Sequence, residues 1–217
     1  MSMFLQIKNI PQLSWSSKSP KNLKPSFKTL LLLCFGLILF GFGEGLLIIS
    51  TIGASPWNVF HQGLALNLDL SIGTCAFLMS LIVLLLWFFL DEKIGIGTIL
   101  NVVIISIMID VTIFFFKAPE YWIYQILLCV VSILMVGLGS GIYLIAKLGP
   151  GPRDGLMTGL QKKLGFSIAK IRGSIEILIV LFGWSLGGIV GIGTLLYALG
   201  IGPAVAFGLT LIKKISR

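Results

Sequence analysis

Two carboxylates, Glu44 and Asp110, lie inside long apolar stretches of the sequence. An ionisable side chain is costly inside a membrane and usually marks a partner or a polar pathway. Such a carboxylate could carry a proton that is coupled to solute movement. Arg172 and Glu176 lie four residues apart in another apolar stretch, so they can pair on one helix face. We predict a structural ion pair there in preference to a substrate relay.

Two short polar segments, 53–58 and 149–154, provide further candidates. Each has a glycine followed by a proline that suits the first position of a helix. Asn58 and Asp154 then fall in the first helical turn, where backbone N–H groups are free and the potential is positive. The candidate residues for a polar substrate site are therefore Ser55, Asn58, Arg153, Asp154, Glu44 and Asp110.

These two segments have two interpretations, and the sequence leaves both open. With Arg153, the two helix starts could bind a small solute, and an anion would suit the positive helix ends. Alternatively, each segment is a tight turn at the membrane surface, followed by an interfacial amphipathic helix. The stretch 153–164 fits the second interpretation, because Lys162 and Lys163 accompany several leucines.

No residue pattern in the chain indicates catalysis. There is no nucleophile elbow, no H-E-x-x-H and no paired His or Cys spacing. The only histidine, His61, is interpreted as structural, and Cys34, Cys75 and Cys129 as packing residues. The G-x-G-x-G run at 41–45 has no preceding strand and is typical of close helix packing. We predict no enzyme activity, no cofactor and no metal site.

The elements that must position these residues are membrane helices. The 217-residue chain is 57% hydrophobic and only 11% charged, with a mean hydropathy of +1.05. About 20 helical residues cross the hydrocarbon of a bilayer. Runs of about this length with few charges are 30–50, 72–90, 123–146 and 192–212. The sequence therefore predicts an all-α membrane protein.

The two halves of the chain repeat at an offset of 96 residues. Three glycines at 41–45 match those at 137–141, Pro56 matches Pro152, and Gly-Ile-Gly-Thr occurs at both 95–98 and 191–194. Glycine and proline matches constrain backbone geometry more than matched leucines do. We predict a basic tail at 1–28, a first membrane repeat at 29–122 and a second at 123–217.

The basic residues predict opposite orientations for the two repeats. All of the 16 Lys and Arg residues except Lys117 can lie on one side of the membrane if both termini are cytoplasmic. The expected fold is six transmembrane helices as a 3+3 inverted-topology repeat, with two short re-entrant or interfacial helices. Four crossings per half would make the repeats parallel, but about 14 residues is short for an additional crossing.

The net charge of +8 does not indicate nucleic-acid binding, because these charges follow the pattern of cytoplasmic loops. The acid-free N-terminal segment could be a transit peptide. Its three prolines disfavour the amphipathic helix that such peptides need, so we favour a cytoplasmic tail.

Several motifs resemble the YczE-like membrane proteins of bacteria, within a broader YczE/YyaS/YitT grouping. They are G-x-x-P-W-N at 53–58, L-G-P-G-P-R-D-G-L-M at 148–157, the two G-I-G-T motifs and R-x-x-x-E at 172–176. The resemblance covers about residues 30–212. It implies a multi-pass protein of the bacterial inner membrane, but no established reaction or substrate.

We therefore predict a small-solute transporter or permease, with a site between the two repeats. The alternative is a non-transporting membrane accessory that binds a protein or lipid partner through its basic cytoplasmic face. The expected partners are the lipid bilayer and a small solute, which would be anionic if Arg153 takes part. Six helices are few for a monomeric transporter, so a homodimer is considered, although no motif indicates one.

Overall fold

The structure, a computed structural model, describes residues 10–216. Within this range it contains eight α-helices and no β-strand. The helices are α1 (Phe27–Ile49), α2 (Pro56–Leu68), α3 (Ile72–Trp87), α4 (Ile96–Phe115), α5 (Trp122–Ala146), α6 (Pro152–Leu164), α7 (Ile168–Ser185) and α8 (Ile192–Ile215). The predicted all-α class is confirmed.

Residues at the helix starts explain where several helices begin. Ser26, Ser71 and Ser167 precede α1, α3 and α7, and each hydroxyl accepts a hydrogen bond from the backbone N–H three residues later. Pro56 and Pro152 occupy the first positions of α2 and α6, as predicted. The starts of the last three helices lie 96 residues after those of α2, α3 and α4.

Four helices, α1, α4, α5 and α8, are long and apolar enough to cross a membrane. The α2–α3 pair, bent by 111° at its junction, would make a fifth span if it is counted as one broken crossing. Helix α3 has 16 residues, and α7 has 18 but carries Lys170, Arg172 and Glu176. Length and composition thus do not confirm the six predicted spans.

The glycine run of α1 explains how this helix packs against α4. A Cβ atom on Gly41 would lie 3.0 Å from Ile105 Cα, and one on Gly45 would lie 2.5 Å from Thr112 Cβ. Only glycine permits so close an approach. The later glycine of α1 contacts the later residue of α4, so these two helices run parallel.

The intervening glycine of the same run faces α5. A Cβ atom on Gly43 would lie 2.9 Å from Val136 Cγ2, whereas one on Gly36 would lie 2.9 Å from Ile142 Cβ. The later glycine of α1 contacts the earlier residue of α5, so α1 and α5 run antiparallel. Alternate glycines therefore allow α1 to pack closely on two neighbours.

The second half uses its glycines in the same way. Gly137 packs against Ala204 and Gly141 against Gly208, so α5 and α8 run parallel. Gly139 faces α1, where an added Cβ atom would lie 2.6 Å from Phe40 N. The matched glycines thus make matched contacts in the two halves.

The two halves also exchange backbone hydrogen bonds at the Gly-Ile-Gly-Thr motifs. Gly97 N donates to Leu148 O, and Gly193 N donates to Ile52 O, each at 2.8 Å. The following residues, Gly53 and Gly149, have φ angles of 126° and 117°, which favour glycine. The start of α8 therefore binds the loop between α1 and α2. The start of α4 binds the loop between α5 and α6 in the same way.

The short helices also pack across the halves, α2 against α7 and α6 against α3. At the first contact Gly183 of α7 lies against the backbone of Val59 and Phe60. At the second, Gly155 of α6 lies against the Trp87 ring. Gly63 of α2 faces Gly183 in turn, so the first contact has a glycine on both helices, and the second has one on the short helix.

The short helices begin in the protein interior and end at its surface. Asn58, in the first turn of α2, is fully buried, whereas Leu66, near its end, is 70% exposed. In α6, Pro152 is buried, and Lys162 and Lys163 are exposed. Neither helix therefore lies wholly on the surface, as a purely interfacial helix would.

The described part of the predicted tail packs against the helices. Trp15 is buried, its carbonyl accepts a hydrogen bond from the Thr29 hydroxyl, and Ser17 N donates to Ala146 O. Ile10 reaches the cavity that is described below. The predicted tail segment thus contributes to the core, while residues 1–9 lie outside the described range.

We expect Gly139→Ala to destabilise the protein, because the added Cβ atom would lie 2.6 Å from both Gly36 O and Phe40 N. These are backbone atoms that a side-chain rotation cannot move. Gly173→Ala is the matched control, since no atom lies within 4 Å of its added Cβ atom on α7. Thermal unfolding in detergent should show a lower Tm for Gly139→Ala and an unchanged or slightly higher one for Gly173→Ala. Equal Tm values would contradict close α1–α5 packing.

Candidate functional site

A cavity of about 330 Å³ lies between the two halves. The starts of α2 and α6 both reach it, through Ser55 and Trp57 on one side and Arg153 and Asp154 on the other. Helices α1, α3, α4, α5, α7 and α8 complete its wall. The structure thus brings the two polar segments, which are far apart in sequence, to one cavity.

Glu44 lies behind the cavity wall, and only 1% of its surface is exposed. Its Oε2 accepts hydrogen bonds from Ser55 Oγ at 2.7 Å and Asn58 Nδ2 at 2.6 Å, and its Oε1 accepts one from Tyr197 Oη at 2.9 Å. Three donors on three polar side chains stabilise a carboxylate that is removed from water. Glu44 therefore ties α1 to α2 and to α8.

A further polar contact extends from this cluster to His61. Asn58 uses its amide N–H on Glu44, so its Oδ1 is left to accept from His61 Nδ1, 3.1 Å away. His61 is buried, and its Nε2 has no hydrogen-bond partner within the described chain. The predicted structural histidine thus extends the hydrogen-bonded cluster around Glu44.

Arg153 stacks on Trp57, its equivalent at the offset of 96 residues. The guanidinium carbon lies 5.1 Å from the centroid of the Trp57 ring, within the range of a cation–π interaction. Arg153 has no carboxylate within 4.0 Å and no side-chain hydrogen bond to any residue in the described range. It therefore lines the cavity as a cation without an ionic partner.

The remaining charged groups of the cavity are already paired. Asp154 accepts a short hydrogen bond from the Tyr143 hydroxyl. Arg172 Nε lies 2.8 Å from Glu176 Oε1, as the spacing of four residues predicts. Both members of this ion pair line the cavity. The predicted structural pair is therefore also part of the wall of the candidate site.

Asp110 does not line the cavity, although we predicted it there. Its Oδ2 accepts from Ser71 Oγ at 2.6 Å and its Oδ1 from Gly73 N at 2.7 Å. The carboxylate thus binds the start of α3, where free N–H groups and the helix dipole favour a negative charge. A nearby helix start thus satisfies this carboxylate locally.

Sequence reasoning missed Tyr143 and Tyr197, which bond to Asp154 and Glu44. The repeat carries a partial signal. The position in the first half that matches Tyr197 is Asn101, a polar residue in an otherwise apolar stretch that also lines the cavity. In the described chain, no group of three His, Cys, Asp or Glu residues is placed to hold a metal ion.

Apolar helices around a cavity with some charged and polar lining residues define a multi-pass α-helical membrane protein. The chain belongs to a family of unknown function, DUF6198, which matches residues 27–209. It is 34% identical to the uncharacterized membrane protein YczE of Bacillus subtilis over 80% of this chain and 82% of YczE. The predicted YczE-like resemblance is confirmed.

Two other relatives extend the comparison. An uncharacterized protein of Haemophilus influenzae is 38% identical over 97% of this chain and 95% of its own length. The uncharacterized protein YyaS of Bacillus subtilis is 30% identical over 74% of this chain and 82% of YyaS. No solved structure matches the chain.

We expect Glu44→Ala to lower stability, because Ser55, Asn58 and Tyr197 would lose their buried acceptor. A buried donor without a partner costs about 1–3 kcal/mol. Glu120→Ala is the matched control, since Glu120 is exposed in the turn before α5. Thermal unfolding of both variants in the same detergent measures the difference. A Glu44→Ala variant as stable as Glu120→Ala would show that this cluster does not hold the three helices together.

Proposed function

We propose that this protein is a small-solute transporter, and not an enzyme, with its site in the cavity between the two halves. The observation that carries the proposal is the polar cavity itself, which the starts of α2 and α6 enter together. Transporter sites commonly lie between internal repeats, where interrupted helices present their ends to the solute. The charged residues of the lining, Arg153, Asp154, Arg172 and Glu176, all come from the second half, and a cavity left by imperfect packing would not need them.

The proposal includes six crossings arranged as an inverted 3+3 repeat. Since α1 and α4 run parallel, the chain between them has to return across the membrane, and α2 with α3 is the only segment available. The same argument assigns α6 with α7 to the return between α5 and α8. The antiparallel packing of α1 and α5 then supports opposite orientations of the two halves, and the basic residues support cytoplasmic termini.

A difference between the halves supports movement around this site. Helix α3 packs along α4, whereas α7 has almost no contact with α8 within the described residues. The Asp110 contact with Ser71 and Gly73 holds α3 on α4. The positions that match Asp110 and Gly73 in the second half are Ala206 and Ala169, which cannot make this contact.

We propose that this difference describes one of two alternating states. In the state described here α3 is closed on α4 and α7 is apart from α8. In the other state α7 would close on α8 while α3 separates from α4, so the cavity would open to the opposite side. One chain encloses the cavity, so this mechanism does not require a homodimer.

The first test uses single cysteines in membranes, after Cys34, Cys75 and Cys129 are replaced by alanine. Ser80→Cys lies in the cavity wall, and Leu81→Cys, its neighbour on α3, is the matched control with an outward side chain that is 41% exposed. We expect a charged, membrane-impermeant thiol reagent to modify position 80 from either side of the membrane, and position 81 from neither. The reagent needs a hydrated thiolate, which lipid does not provide.

The outcome separates transport from the alternative of a membrane accessory. Modification of position 80 from one side only, or from neither, would contradict a cavity that opens alternately. It would favour the accessory that binds a partner through its basic face.

The second test concerns the contact that holds α3 on α4. Asp110→Ala removes the acceptor of Ser71 Oγ and Gly73 N, so we expect the closed state to lose population. The rate of modification of Ser80→Cys from its slower side should rise several-fold. Asp69→Asn, a change at an exposed carboxylate after α2, is the control and should leave the rate unchanged. Equal rates in both backgrounds would rule out Asp110 as part of the gate.

A further inference from the structure

The polar groups around the cavity differ in how much of their hydrogen-bonding capacity is already used. The carboxylates of Glu44, Asp154 and Glu176 each accept at least one hydrogen bond from a side chain. Arg153 makes no hydrogen bond through its side chain to any described residue, and Trp57 Nε1 is buried without a partner. Thus the Arg153 guanidinium and Trp57 Nε1 are two donors that no described residue uses, while Asp154 and Glu176 each keep one carboxylate oxygen free to accept.

The starts of the two short helices add further donors. Neither Ser55 nor Gly151 caps its helix with a side chain, because the Ser55 hydroxyl donates to Glu44 and glycine has none. The backbone N–H groups of Trp57 and Arg153 make no hydrogen bond within the described residues. Both residues line the cavity, so the positive ends of two helices converge on it.

From these unused donors and the two helix starts we propose that the transported solute carries a carboxylate or an equivalent anionic group, and that Arg153 binds that group. The inference rests on the proposed function and names its substrate class. A guanidinium forms two parallel hydrogen bonds with a carboxylate, and the bonds are strengthened by the opposite charges. The Trp57 ring lies beneath Arg153, with the guanidinium carbon 5.1 Å from the ring centroid.

The cavity also limits the size and character of the solute. A volume of about 330 Å³ is at the small end of ligand pockets in proteins. Phe40, Ile105, Ile201 and Val205 provide an apolar wall. The paired side chains of Asp154 and Glu176 are also in the lining, so a second, cationic group on the solute is compatible with the site.

Binding to the purified full-length protein in dodecyl maltoside tests this inference without requiring transport. The probes form two sets, and within each set the molecules have a similar shape but different charge. The first set is propionate, propionamide and propylammonium, and the second is benzoate, benzamide and benzylammonium. Alanine tests a carboxylate with an adjacent ammonium group. The measurement is the rise of Tm with probe concentration, from which an apparent Kd follows.

We expect at least one carboxylate probe to raise Tm, and its amide and ammonium partners to have little effect. Arg153→Gln should weaken that binding about tenfold to a hundredfold, as expected for the loss of a charge-assisted contact. Arg153→Lys should restore part of it, because the charge remains but the paired geometry is lost. Lys170→Gln, which removes one exposed positive charge outside the cavity, is the matched control and should bind as the unchanged protein does.

Three outcomes would overturn the inference. They are binding of an amide as tight as that of its carboxylate, carboxylate binding unchanged in both Arg153 variants, and no response to any carboxylate probe. The failure of this inference is distinguishable from that of transport. If a neutral solute binds and position 80 is labelled from both sides, the proposal of transport stands and that of an anionic solute is wrong. If a carboxylate binds at Arg153 and position 80 is labelled from one side only, the proposed binding site stands and transport is wrong.

Discussion

The close antiparallel approach of α1 and α5 is the constraint on which the other contacts depend. Glycines at 43 and 139 let each helix reach the backbone of the other, and the neighbouring glycines bring α4 and α8 to the same pair. Close approach matters in a membrane, because lipid is as apolar as the helix surfaces and packing must provide the association. The start of α2 lies beside this four-helix centre, where Ser55 donates a hydrogen bond to Glu44 of α1.

The polar residues follow a second rule, which is that a group removed from water needs a partner. Glu44, Asp110 and Asp154 obey it with donors supplied by other helices or by a helix start, and Glu176 obeys it with Arg172 of its own helix. The bonds to the first three carboxylates connect different helices. Arg153 is only partly buried and lines the cavity without a side-chain hydrogen bond to any described residue, and this unused capacity is the reason to connect the cavity with a solute.

Much of the fold could be predicted from the sequence because the repeat constrains it. The match of Pro56 to Pro152 predicted the starts of the short helices, and the spacing of Arg172 and Glu176 predicted their pairing. These features depend on neighbours within a few residues. The contact of Tyr197 with Glu44 joins residues that are 153 positions apart, and no local pattern reveals it. The contacts of Asp110 also escape a local pattern, because its partners are Ser71 and Gly73 at the start of α3. That helix start is close to Asp110 in space but 37 or more residues away in sequence.

The exchanged hydrogen bonds at the Gly-Ile-Gly-Thr motifs have a consequence for how the chain is made. Ile52 follows the first helix, but its carbonyl is satisfied by Gly193, at the start of the last one. During synthesis the first half therefore enters the membrane with this connection incomplete, and it stays incomplete until nearly the whole chain has been translated. Neither half is a self-sufficient folding unit, although each carries the same pattern. A duplicated ancestor would have had to form these contacts between two separate copies.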